Sequence, residues 1–84
     1  MNDLSTQYKK LLEKEGLLDP IIAFGLDSYP TELVDNFKDN RHGQFGLRDG
    51  IKILSSKKNN REIIAHEARH AGIRALMQLY GIQG

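Results

Sequence analysis

The sequence predicts an α+β fold: an N-terminal helix, a short β-hairpin or small sheet, and a long C-terminal helix. Three observations carry this expectation. Leu4, Tyr8, Leu11 and Leu12 recur at helical spacing near the start of the chain. Asp49-Gly50, a favoured tight-turn pair, separates Gln44 to Leu47 from Ile51 to Leu54, and Ile51 and Ile53 alternate with Lys52 as in a half-buried strand. From Asn59 or Asn60 to about Tyr80 the chain holds no proline and ends at Gly81, a natural helix terminator.

Taken in order, the first helix begins at Asp3 or Ser5 and runs to about Glu15, with Gly16 as its stop. Lys9, Lys10, Glu13 and Lys14 form its solvated face. Leu17 to Leu26 is apolar but interrupted by Pro20 and Gly25, so it reads as a short buried strand or an extended connection. Asp27 to Thr31 reads as a turn into a second helix, with Pro30 in its first turn. That helix is expected over Thr31 to Lys38, burying Leu33, Val34 and Phe37. Asp39 to Gly43 is a polar loop before the hairpin, and Ser55 to Asn60 is a polar connection after it. With Asn59 as cap, Glu62 stands at the third helical position and can reach back to it as in a capping box.

The last helix presents two faces. Ile64, Ala65, Ala68, Ala71, Gly72, Ala75 and Leu79 cover one broad arc, and most are small, so another element can approach the backbone closely. The opposite side carries His66 and His70 within a stripe that includes Ile63, Ile73, Met77 and Tyr80. That stripe calls for a second cover, either further chain or a second subunit. These 84 residues therefore read as one small domain, residues 1–84, that is a fragment of a larger one.

Composition narrows the function classes. Twelve Lys and Arg against eleven Asp and Glu leave a net charge of +1, which offers no basic stripe for nucleic acid and no attraction to an anionic membrane. The chain has no apolar run long enough to span a bilayer and no signal-peptide pattern at its start. Without cysteine, a metal site has only His, Asp and Glu to draw on.

The informative motif is His66-Glu67-Ala68-Arg69-His70. In a helix the two histidines stand one turn apart on one face, close enough to bind one ion, and Glu67 is beside them. Neutral imidazoles hold Zn2+ and leave room for water, whose proton a nearby carboxylate takes during hydrolysis. His66 and His70 are thus the candidate metal ligands and Glu67 the candidate catalytic base. The competing reading makes the histidines ordinary surface or core residues and pairs Glu67 with Arg69 or Arg74.

With its preceding strand and loop, this segment resembles the zincin metallopeptidases over about residues 44 to 80. The text from Glu62 to Leu76 is similar to zincin-like domains embedded in large phage and mobile-element proteins. The resemblance implies a zinc-dependent peptidase acting on a peptide or protein substrate, cytoplasmic, or virion-associated if phage-encoded. It also implies that Ile51 to Leu54, as an edge-like strand, positions an extended substrate. The chain departs from the family downstream: the fourteen residues after His70 hold no His, Asp or Glu for a third ligand, and the spacing of Gly72 does not fit the metzincin extension. Either the third ligand lies beyond Gly84 in a longer protein, or it comes from upstream or another subunit, or the site is incomplete; His42 is the best upstream candidate and is otherwise a polar loop residue, and Asp49 is better spent on its turn. The alternative function is a non-catalytic interaction module, a degenerate zincin or a helical unit, within a larger phage or multidomain assembly.

Overall fold

The computed structural model describes residues 3–81. It is an α+β fold with helices α1 (Asp3–Lys14), α2 (Pro20–Ser28) and α3 (Arg61–Leu79), and strands β1 (Thr31–Val34), β2 (Gly43–Gly46) and β3 (Gly50–Leu54). A short 3-10 turn, Ser55–Lys57, links β3 towards α3.

The first helix buries Tyr8 and Leu12, and its end is fixed by Gly16. Gly16 takes φ +72°; its N–H donates to the Glu13 carbonyl, and the Leu17 N–H donates to that of Leu12 at 2.8 Å. This is the paired closure that satisfies a helix's last carbonyls, and it needs a residue tolerant of positive φ.

Two expected elements differ. The apolar stretch holding Ile21 to Leu26 is neither strand nor extended connection but helix α2. Asp19 caps it, accepting the Ile22 N–H at 2.8 Å, and Pro20 occupies the first turn, where its missing N–H costs nothing. Ile22 and Leu26 face the core. The segment expected as a second helix is instead strand β1 followed by a loop. Thr31 to Val34 pair in parallel with Ile51 to Leu54, a non-local partnership that local propensity does not reveal.

The sheet order is β1-β3-β2, with β2 antiparallel to β3. The hairpin stands where the sequence places it: Gly46 pairs with Gly50, and Gly50 takes φ +77° at the turn. A Cβ on Gly50 would come within 2.4 Å of the Pro30 carbonyl, so the approach of β1 adds a second demand for glycine there. β3 lies at the centre of the sheet, not at its edge, because β1 and β2 occupy both of its sides. An extended substrate therefore has no free backbone on Ile51 to Leu54 to pair with; the outer edges belong to β1 and β2.

Ile51 and Ile53 point to the helices and are fully buried with Leu12, Ile22, Leu26 and Ile64. The partner of α3 is mainly α2, and two glycines set the spacing. A Cβ on Gly72 would fall 2.0 Å from the Ile21 carbonyl oxygen, and one on Gly25 would fall 2.1 Å from that of Ala68. The small face of α3 thus does what its composition predicts, with Ile64, Ala68, Ala71, Gly72 and Ala75 all buried; Leu79, expected in that arc, is exposed.

Candidate metal centre

Helix α3 positions the site. Asn60, not Asn59, is its cap: the Asn60 side chain accepts the N–H groups of Glu62 and Ile63, both at 3.1 Å. Glu62 therefore stands at the second helical position and supplies favourable charge to the first turn without closing a capping box. The Tyr80 N–H donates to the Leu76 carbonyl at 3.0 Å, and Gly81 ends the helix with φ +71°.

Because α2 and the sheet take the small face, the histidines are turned outward. His66 and His70 are both exposed, with ring centroids 4.6 Å apart and planes tilted by 45°. Their neighbour Glu67, the next residue round the helix from His66, is turned towards β2 and is only 9% exposed. It lies beneath β2: a Cβ on Gly43 would come within 3.0 Å of the Glu67 Cγ and 2.9 Å of the Ile63 Cγ2. The absence of a side chain at Gly43 is what leaves room for this carboxylate.

His42, Gly43, Glu62, Ile63, His66 and Glu67 together line a shallow recess of about 260 Å³. His70 stands next to His66 along the helix, outside that lining. The alternative in which Arg69 neutralises Glu67 does not hold, since Arg69 donates to Asp19 at 2.8 Å. Among the described residues Glu67 has no ion-pair partner within 4 Å. A carboxylate with neither ion pair nor hydrogen bond, at the rim of a recess beside an imidazole, is available as a proton acceptor.

Arg41 is a neighbour that the sequence did not single out. Asp39 grips its guanidinium at 2.8 Å through both Nε and Nη2, and this pair raises the arginine's pKa; the negative charge of Glu67 adds to the same effect. The only advance sign was the position of Arg41 immediately before His42-Gly43.

As a metal centre the donor set fits in part. Two adjacent exposed imidazoles at i and i+4 are suitable zinc donors, and Glu67 is free to act beside them. Among the described residues, however, no group of three His, Asp or Glu side chains converges closely enough to hold an ion. Nor is any helix among them long and apolar enough to cross a membrane. No known protein family matches the chain, and no curated protein or solved structure is detectably similar to it.

Proposed function

We propose that the protein is a zinc-dependent metallopeptidase domain in which His66 and His70 hold the metal and Glu67 is the base. The observation that carries this reading is the placement of the Glu67 side chain, 9% exposed and without an ion pair or hydrogen bond among the described residues, in one recess with His66, whose ring adjoins that of His70. A zinc ion held there supplies Lewis acidity and a water of lowered pKa. The chain's own residues do the rest. His66 and His70, fixed on one rigid helix, set the position of the reacting centre. Glu67 accepts a proton from the attacking water and returns it to the leaving amine. Gly43, which has no side chain to crowd the Glu67 stem, leaves that carboxylate its place at the rim.

The substrate is a peptide or protein. As an edge strand whose first residue, Gly43, lines the recess, β2 replaces β3 as the place where an extended chain pairs. Glu67→Gln tests the base assignment. That variant is expected to keep zinc and lose peptide hydrolysis; hydrolysis at the parent's rate would contradict it.

One observation favours the second reading, a non-catalytic interaction module of a larger assembly. Ile73, Leu79 and Tyr80 are 44%, 66% and 73% exposed, an apolar surface on the histidine side and end of α3 suited to further chain or a second subunit. A melting temperature unchanged by both zinc and chelator supports the module over the peptidase.

A further inference from the structure

We propose that the recess beside β2 binds a basic side chain, a guanidinium or ammonium group, of a peptide lying extended along that strand, with Glu62 and Glu67 as its counter-charges. The inference needs no metal and holds for a peptidase and for a non-catalytic module alike. In the first case it names the substrate, and in the second the partner.

Glu67 carries the argument. A charge taken out of water is costly unless an opposite charge or a set of hydrogen bonds offsets it. Glu67 is only 9% exposed, and among the described residues its carboxylate has neither. The chain's own cations are spent elsewhere: Arg69 on Asp19, and Arg41 on Asp39. No Lys or Arg lines the recess. Glu62, exposed and lining the same recess, has no ion-pair partner among the described residues either. Two carboxylates thus share a concavity of about 260 Å³ whose wall holds no fixed positive charge.

The arrangement suits an organic cation better than a bare metal ion. No three His, Asp or Glu side chains among the described residues converge on one point. An ammonium or guanidinium group instead spreads three to five N–H donors over acceptors that stand apart. Ile63, also in the lining, offers an apolar surface to the methylene stem of Lys or Arg.

A peptide is the fitting carrier because β2 is an edge strand whose first residue, Gly43, lines the recess. A strand pairing with β2 sends alternate side chains to the face on which Gly43 meets Ile63 and Glu67. Gly43 has no side chain to block that path. Glu62, on the exposed side, makes the direct ion pair, and Glu67 attracts from the inner wall under β2.

The test titrates two end-capped alanine pentapeptides into metal-free protein, one with arginine at its centre and one with norleucine, followed by backbone amide NMR. The arginine peptide is expected to shift the Gly43, Ile63 and Glu67 signals and to bind roughly 10-fold more tightly than the norleucine peptide. That preference should shrink as salt is raised. Glu62→Gln and Glu67→Gln keep the side-chain shape, and each is expected to lower the preference several-fold. Equal binding of the two peptides, binding of neither, or a preference unchanged in both variants overturns the proposal. Because no metal is present, any of these results leaves the zinc reading standing, and a failure to bind zinc leaves this proposal standing.

Discussion

Gly43 of β2 lies against Glu67 of α3 so closely that a methyl group there would stand 3.0 Å from the glutamate Cγ and 3.3 Å from its Oε2. A strand residue without a side chain thus fixes where the candidate base can sit.

Gly43→Ala tests that contact. Gly43 has no positive φ, so alanine meets crowding and not backbone strain. We expect a stability loss of about 1–2 kcal/mol, the cost of modest overpacking, measured by urea denaturation. Displacing the carboxylate by a fraction of an ångström is expected to lower peptide hydrolysis by roughly 10- to 100-fold. Zinc affinity should stay close to the parent's, because His66 and His70 are not displaced. A variant with parent-like hydrolysis would show that Gly43 does not position Glu67.

The α2–α3 contact offers a sharper stability test. Gly72→Ala places a methyl group onto the Ile21 carbonyl, a backbone atom with no side-chain freedom to yield. The expected loss is about 3 kcal/mol, at the upper end for overpacking, despite alanine's better helix propensity. A gain in stability would mean that the two helices are further apart than described.

Asp19 connects the cap of α2 to α3. The Ile22 N–H, and next the charge of Arg69, hold its carboxyl below the ordinary carboxylate range. A depressed folded-state pKa contributes stability that is present above the unfolded value of about 3.9 and is lost as pH falls through the folded value. Asp19→Ala should therefore cost about 1 kcal/mol at neutral pH, the usual cost of losing a cap. The gap between variant and parent should close in acid below about pH 4. A constant gap from pH 7 to pH 2 would remove Asp19 from this role.

The elements legible in the sequence were those with local signals. Gly16 and Gly81 mark helix ends, Asp49-Gly50 marks the hairpin, and the small residues of α3 mark the face that meets a close neighbour. The helix α2 was hidden because Ile21 to Leu26 is almost wholly apolar and shows no period; only Asp19-Pro20 carried a start signal. Strand β1 was hidden because its partner, β3, lies beyond a loop and a second strand. That same topology moved β3 from edge to centre. In the site, the shared face of His66 and His70 followed from spacing alone. The approach of Gly43, His42 and Arg41 to Glu67 did not, since it depends on β2 crossing over α3.

A zinc titration followed by NMR of the imidazole resonances asks whether His66 and His70 bind one metal ion together. Saturation is expected near one zinc per chain, with the His66 and His70 rings shifting in step and binding lost in either alanine variant. No saturable binding, or binding that leaves both rings unperturbed, would contradict it.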